Sequence, residues 1–312
     1  MFTENFTEDH FPGEGVRRAT TNALGVETRR GRVIGYVLTP NHREGETHPA
    51  MVMFHGFPGI CNNHDLAMLF CNAGFVVVVP NAPGAWGSEG FYSFDGIIDA
   101  ACDVAGFVHA PETCEKYHID PKNIFVFGHS MGGFTAVNAA ARLPFVKGFI
   151  FAAPCNLGWE CEHPETGFME YVRTESKGFL RTSTDLVENA KALSSATSFA
   201  AASPGLCDRN FLLIECAEDD VIPKESLEVL RSGILEEAQG SGAKAWSGKS
   251  AGDCEGDGGT HACPGGSVAG GRFGSGLHRY VLLPTDHGFN SCKFAAAKTV
   301  IDFCRTVVGA AR

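Results

Sequence analysis

The sequence lacks long hydrophobic runs, long basic runs and paired cysteine motifs. No apolar stretch reaches the ~20 residues that a membrane-spanning helix needs, so we expect no membrane partner. Basic residues cluster only at Arg29, Arg30 and Arg32, and the formal net charge is −11, which argues against nucleic-acid binding. The 12 cysteines include no C-x-x-C pair, which argues against a zinc ribbon or a thioredoxin-like site.

The first residues, MFTENFTEDHFPGEG, also lack the basic and apolar regions of a signal peptide, so we expect a cytoplasmic protein. Apolar residues, in contrast, make up 44% of the 312 positions and are sufficient for a large core. We expect a single domain over residues 1–312, because open α/β folds often reach ~250 residues or more. Nothing in the sequence indicates an oligomeric state.

Apolar segments of strand length alternate with segments of helix length. The strand-like runs are Met51–His55, Phe75–Pro80, Ile124–Gly128, Gly148–Ala152, Phe211–Cys216 and Tyr280–Leu283. The helix-like segments are His64–Ala73, Phe94–His109, Met131–Leu143, Lys224–Ala238 and Ser291–Val308. Continuous rather than alternating apolar runs are typical of strands buried on both faces. The pattern predicts an α/β fold with a mostly parallel, doubly wound sheet of about eight strands and helices on both faces.

Three further segments complete the predicted organisation. Val26–Arg30 and Arg32–Leu38 flank Gly31 and predict an antiparallel hairpin at one edge of the sheet. Residues 155–205 are too long for a simple crossover, and their aromatic residues predict a helical lid folded over the edge of the sheet. Residues 240–276 are rich in glycine and serine, which predicts a flexible loop.

A serine bracketed by glycines follows the predicted strand Ile124–Gly128. Gly128-His129-Ser130-Met131-Gly132 fits G-x-S-x-G between a predicted strand and a predicted helix. This context indicates a sharp bend that exposes the Ser130 hydroxyl as a nucleophile, and we expect the His129 side chain to point away from it. The alternative is a strand–turn–helix junction in which the glycines serve packing only.

An earlier loop supplies candidates for stabilising negative charge. The segment from His55 to Gly59 ends a predicted strand. An oxyanion hole needs two N–H donors, and we assign them to the backbone of Phe57 and of Met131. We expect His55 itself to be structural and to hydrogen-bond within its loop.

Two later turns supply an acid and a base. Asp219 follows the strand Phe211–Cys216 and is our choice for the acid that orients a histidine, with Asp220 and then Glu218 as alternatives. The acidic turn would alternatively cap the next helix. His287 follows the last predicted strand and is the candidate general base, whereas the adjacent Asp286 is poorly placed to brace its ring.

These motifs resemble those of α/β-hydrolase-fold serine hydrolases. HGFPG, GHSMGG, EDDVIP and DHGF carry the resemblance over most of residues 26–308. AASPGL and GSEGFYSF are similar to segments in the catalytic domain of the prolyl-oligopeptidase family and its small esterase relatives. HGFP also occurs in epoxide hydrolases and dehalogenases, whose nucleophile is an aspartate where this chain has Ser130.

The resemblance implies acyl transfer to water through an acyl-enzyme, with Ser130, Asp219 and His287 as the triad and no metal or cofactor. Because the chain has no room for the propeller of true oligopeptidases, we expect a small to medium carboxylic ester as substrate. The alternative activities are peptidase or aminopeptidase-like hydrolysis of a short peptide or aryl amide, thioester hydrolysis, and acyltransfer. A non-catalytic hydrolase-fold binding protein is an alternative of another class. Trp86, Tyr92 and Trp159 are candidate walls of the substrate pocket.

Overall fold

The computed structural model describes residues 2–3, 5–60, 62–228, 230, 267–273 and 276–309. The strands are β1 (Thr20–Thr28), β2 (Gly31–Thr39), β3 (His48–Phe54), β4 (Val76–Pro80), β5 (Ile119–His129), β6 (Gly148–Ala152), β7 (Phe211–Cys216), β8 (Ser267–Phe273) and β9 (Gly276–Leu283). They form one nine-stranded sheet in the order β1-β2-β4-β3-β5-β6-β7-β9-β8.

The centre of the sheet is parallel and its edges are antiparallel. Strands β4, β3, β5, β6, β7 and β9 pair in parallel, in that order. The hairpin β1–β2 is antiparallel, and β2 pairs antiparallel with β4. Every residue of β3, β4, β6 and β7 is buried, because helices cover both faces. The predicted doubly wound, mostly parallel sheet is confirmed, with nine strands where about eight were expected.

The helices are α1 (His64–Asn72), α2 (Phe94–His109), α3 (Pro111–Tyr117), α4 (Met131–Ala139), α5 (Leu157–Glu162), α6 (Phe168–Glu175), α7 (Leu186–Leu193), α8 (Phe199–Ala202) and α9 (Lys293–Gly309). Helices α1 and α9 pack on one face of the sheet, and α2 and α4 pack on the other. The predicted helix Met131–Leu143 is shorter, since α4 ends at Ala139 and a 3-10 turn follows.

The predicted insertion between β6 and β7 contains α5 to α8. It contacts the loop after β4, where Ala85 and Leu180 form an antiparallel bridge. Arg181 strengthens this contact, because its side chain donates to the carbonyl groups of Ser88 and Gly90 at 3.1 Å and 2.7 Å. We refer to residues 155–205 as the lid segment.

The predicted flexible loop at 240–276 needs a correction at its C-terminal end. Residues 267–273 form β8, which pairs antiparallel with β9 along its whole length. Glycine-rich composition does not prevent strand pairing at an edge, because the backbone groups are satisfied by the neighbouring strand. Gly276 begins β9, and the rest of that prediction lies outside the described residues. Of the predicted helix Lys224–Ala238, residues 224–228 and 230 are helical, and the others lie outside the described residues.

Candidate active site

A serine lies at the bend between β5 and α4. Ser130 follows the last residue of β5 and precedes Met131, the first residue of α4. Its backbone has φ 55° and ψ −118°, a region that non-glycine residues rarely adopt and that clusters at functional bends. A side chain at Gly132 would overlap the Phe54 carbonyl, so glycine is required where α4 begins against β3. The bend places Ser130 where the parallel strands end.

A histidine and an aspartate from two other loops lie within hydrogen-bond distance of each other. His287 Nδ1 is 3.0 Å from Asp219 Oδ2, and these side chains are 16% and 4% exposed. Because an ionised carboxylate only accepts hydrogen bonds, Nδ1 of His287 carries the proton. The other ring nitrogen, Nε2, therefore has the lone pair that a general base needs.

The Asp219 carboxylate is fixed by its own turn. Its Oδ1 accepts hydrogen bonds from the backbone N–H groups of Val221 and Ile222, both at 2.9 Å. Burial by itself raises the pKa of Asp219, but the hydrogen bond and charge of His287 and the two amide donors outweigh it, so the pKa lies below its ordinary value. Asp219 is thus a charged acceptor beside the imidazole.

The neighbouring acids have other roles. Glu218 and Asp220 are exposed. Asp286 accepts hydrogen bonds from the backbone N–H of Asn290 at 2.8 Å and from its side-chain amide at 2.6 Å. Asp286 therefore stabilises the turn that carries His287, while Asp219 pairs with the ring.

His129, the residue before Ser130, contacts the turn that carries His287. His129 Nε2 donates to the backbone carbonyl of His287 at 2.8 Å, and the two imidazole rings lie 4.7 Å apart. Since His129 directly precedes Ser130, the serine lies beside the turn that holds His287. The Ser130 hydroxyl makes no hydrogen bond to another described residue; such bonds often tighten only when substrate is bound.

The loop after β3 lies against the serine. A Cβ atom at Gly56 would be 3.5 Å from Ser130 Oγ and 3.1 Å from its Cβ, so this position accommodates only glycine without displacement. His55 holds the loop, because its Nδ1 donates to the Gly56 carbonyl at 2.8 Å and its Nε2 accepts from the Ala82 N–H at 3.2 Å. Burial lowers the pKa of His55, which keeps this ring neutral. The structural interpretation of His55 is supported.

The family model described as serine aminopeptidase, S33, matches residues 45–225, more than half of the chain. The chain belongs to the serine aminopeptidase S33 family. The matched span includes the loop after β3, Ser130 and Asp219, and ends before His287. Among curated protein sequences, none matches this chain.

Solved structures resemble this S33 family member over nearly its whole length. A fungal esterase from Rhizomucor miehei has a TM-score of 0.62 at 12% identity, over 95% of this chain and 86% of its own. The hyperthermophilic esterase of the archaeon Pyrobaculum calidifontis has 0.57 at 19%, over 93% and 84%. The acylaminoacyl peptidase of Pyrococcus horikoshii has 0.61 at 14%, over 92% of this chain and 41% of its own. At such identities the likeness shows the fold, which is that of the α/β hydrolases.

Two of the three predicted pocket residues flank the loop after β3. Trp86 is 40% exposed, and its Nε1 donates to the Pro58 carbonyl at 3.0 Å. Tyr92 is buried, with its ring 5.7 Å from that of Phe57. Tyr92 also lines a cavity of about 30 Å³ behind His55, which has room for about one water molecule. Trp86 is thus accessible at the surface, whereas Tyr92 mainly supports the loop.

The lid segment contributes one predicted and one unpredicted aromatic residue. Trp159 is half-buried and stacks on His163 within the lid segment, with ring centres 3.7 Å apart. Tyr171, which the sequence reasoning did not assign to the site, donates its hydroxyl to the Phe57 carbonyl at 3.3 Å and packs its ring 5.9 Å from that of Phe57. In the sequence, Tyr171 is marked only as one of several aromatic residues in the insertion, which does not assign it to the site.

The described residues contain no group of three or more His, Cys, Asp or Glu side chains arranged to hold a metal ion. Within the same residues, no helix is both long and apolar enough to cross a membrane.

Proposed function

We propose that this S33 family hydrolase cleaves a carboxylic ester with a small to medium acyl group through an acyl-enzyme. Ser130 is the nucleophile, His287 the general base and Asp219 the residue that orients the base. The observation that carries the proposal is the 3.0 Å hydrogen bond between His287 and the buried Asp219. The turn that carries His287 is hydrogen-bonded to His129, the residue before the strained Ser130 bend.

The mechanism follows from these positions. His287 Nε2 removes the hydroxyl proton of Ser130 as Oγ attacks the ester carbonyl, and Asp219 stabilises the resulting imidazolium. The tetrahedral intermediate collapses when His287 gives that proton to the departing alkoxide, which leaves as an alcohol. Water then repeats the attack on the acyl-enzyme, with His287 again as base, and releases the acid and the free serine.

Backbone donors would hold the negative oxygen. Met131 is the first residue of α4, and the first N–H groups of a helix have no partner within the helix. Phe57 follows Gly56, where an added Cβ atom would lie 3.1 Å from the Cβ of Ser130, so we assign the Phe57 N–H as the second donor. The positive end of the helix dipole adds to this stabilisation.

The share of each similar structure that this chain covers supports an ester rather than an amide as the substrate. The chain covers 86% and 84% of two esterase chains, but 41% of the acylaminoacyl peptidase and 40% of a puromycin hydrolase. Amide hydrolysis is the second candidate, because the family description is that of an aminopeptidase. Trp86, Tyr92 and Trp159 stay in the proposal as pocket walls, joined by Tyr171.

A fluorophosphonate probe tests the assignment of the nucleophile. We expect the probe to label the wild-type chain at Ser130, and expect Ser130→Ala to abolish labelling while the thermal unfolding midpoint stays close to that of the wild type. His287→Ala should lose nearly all p-nitrophenyl acetate hydrolysis, since the residual rate of triad variants comes from binding and the oxyanion hole.

A matched substrate panel decides between the two activities. p-Nitrophenyl esters of increasing acyl length, which release p-nitrophenolate, are compared with aminoacyl p-nitroanilides, which release p-nitroaniline. Faster turnover of the anilides would replace the ester assignment, and a folded wild-type chain that neither reacts with the probe nor cleaves any substrate would indicate a non-catalytic binding protein.

A further inference from the structure

We propose that His129 is a positioning residue that ties the nucleophile strand to the turn carrying the general base. This inference rests on the proposed function, because it assigns a role relative to Ser130 and His287. Its basis is the 2.8 Å hydrogen bond from His129 Nε2 to the His287 carbonyl.

The sheet alone does not hold these two elements together. Ser130 follows β5 and His287 follows β9, and β6 and β7 lie between those strands in the sheet. A small relative shift of strands or loops would therefore accumulate across this distance. The His129 side chain spans it directly, since its backbone belongs to β5 and its ring contacts the turn after β9.

The contact is a defined hydrogen bond in a buried setting. His129 is 7% exposed, and its ring also packs against Phe289, with centres 5.4 Å apart. Because a carbonyl oxygen can only accept, the proton of the neutral ring lies on Nε2. Burial and the nearby His287 lower the pKa of His129 to about 4, so the donor is uncharged near neutral pH.

An uncharged donor suits this location. A positive charge at His129 would oppose the imidazolium that forms on His287, whereas a neutral N–H fixes the backbone without that penalty. Asp219 then holds the ring of His287 and His129 holds its backbone, from two different sides. Two attachments define the direction of the His287 Nε2 atom toward Ser130 better than one attachment does.

Two substitutions separate this role from simple packing. His129→Leu introduces an apolar side chain of similar bulk and leaves the His287 carbonyl without its donor. His129→Gln keeps a hydrogen-bond donor of similar reach. The matched control is His42, which is also buried and donates to a carbonyl, that of Pro40 at 3.1 Å. His42 contacts His48 and His118, which lie where β3 and β5 begin. Ser130 lies at the other end of these strands, where β5 ends.

The first readout is the rate at which a fluorophosphonate labels Ser130, together with kcat and KM for p-nitrophenyl acetate. We expect His129→Leu to lower the labelling rate and kcat about 10- to 100-fold, with KM changed by less than about 3-fold, because misplacing a reacting group by ~1 Å has effects of this size. His129→Gln should recover most of that loss, and His42→Leu should keep wild-type kinetics even where it lowers the unfolding midpoint.

The second readout is the downfield proton resonance of the His287 Nδ1–H that bridges to Asp219. We expect it to weaken or disappear in His129→Leu and to persist in His129→Gln and His42→Leu. Equal kinetics and an unchanged resonance in His129→Leu would overturn the inference, as would equal losses in the Leu and Gln variants. A wild-type chain that fails to react with the probe would instead overturn the proposed function.

Discussion

At the scale of single residues, adjacent acids after β7 have sharply different surroundings. Asp219 is buried and pairs with His287, whereas Asp220 is exposed. We expect Asp219→Asn to reduce kcat for p-nitrophenyl acetate by about 10⁴-fold, because an amide can donate to the ring and favour the wrong imidazole tautomer. Asp220→Asn is the matched control, and a surface change of this kind usually alters stability by less than about 0.5 kcal/mol.

The two variants are compared by steady-state ester hydrolysis and by fluorophosphonate labelling. A larger loss in Asp220→Asn than in Asp219→Asn would reassign the acid. Sequence reasoning predicted an acid among three consecutive residues, with Asp219 preferred and Asp220 and Glu218 as alternatives, because a turn's direction decides which carboxylate faces the histidine. The N–H groups of Val221 and Ile222 settle that direction here.

At the scale of elements, the junction of β3, β5 and α4 depends on a glycine without space for a side chain. A Cβ at Gly132 would overlap the Phe54 carbonyl, while a Cβ at Gly106, an exposed position in α2, meets nothing within 4 Å. We expect Gly132→Ala to lower the free energy of unfolding by about 3 kcal/mol or more. Gly106→Ala should raise it by about 1 kcal/mol, since alanine is the better helix former.

Urea unfolding of both variants, followed by circular dichroism, measures these changes. The opposite signs are the informative result, because both substitutions add the same methyl group to a helix. Stabilisation by Gly132→Ala would mean that close approach of α4 to β3 is not what requires glycine at this position.

Prediction of elements from the sequence succeeded where local patterns are strong. The bounds of α2 and of the central strands β6 and β7 agree with the predicted Phe94–His109, Gly148–Ala152 and Phe211–Cys216. The edge strand β8 was not predicted, because its residues SVAGGRF have neither a continuous apolar run nor clear alternation. Its pairing is determined by the partner strand β9, which a local pattern does not contain.

At the scale of the whole molecule, the site combines residues from distant parts of the chain. Motifs predicted Ser130, Asp219 and His287 one by one, since each follows a different strand. The contact between His129 and His287 was not predicted, because it joins residues 158 positions apart in the chain. The same holds for Tyr171 and Phe57, which are 114 positions apart. Such contacts depend on the packed fold rather than on any sequence window.

Buried neutral histidines also make the stability of the whole molecule sensitive to acid. Burial lowers the pKa of His129 and of His278 from 6.5 to about 4, although hydrogen bonds partly offset this effect. The unfolded chain therefore binds protons at these sites first as the pH falls. By linkage, stability is fully present above about pH 6.5 and is lost between about 6.5 and 4, by about 3 kcal/mol for each histidine.

Urea unfolding at a series of pH values between 7.5 and 4.5 tests this linkage. We expect the unfolding free energy to fall steadily as the pH is lowered over that range. His278→Gln should make this dependence on pH less steep, because the unfolded variant binds one proton fewer. His64→Gln is the control, since His64 is exposed. Asp219, whose pKa lies below its ordinary value, adds a further loss only at lower pH, as the pH falls through and below about 3.8. A flat profile between pH 6.5 and 4.5 would show that the buried imidazoles acquire their protons within the folded chain at little cost, which contradicts their lowered pKa values.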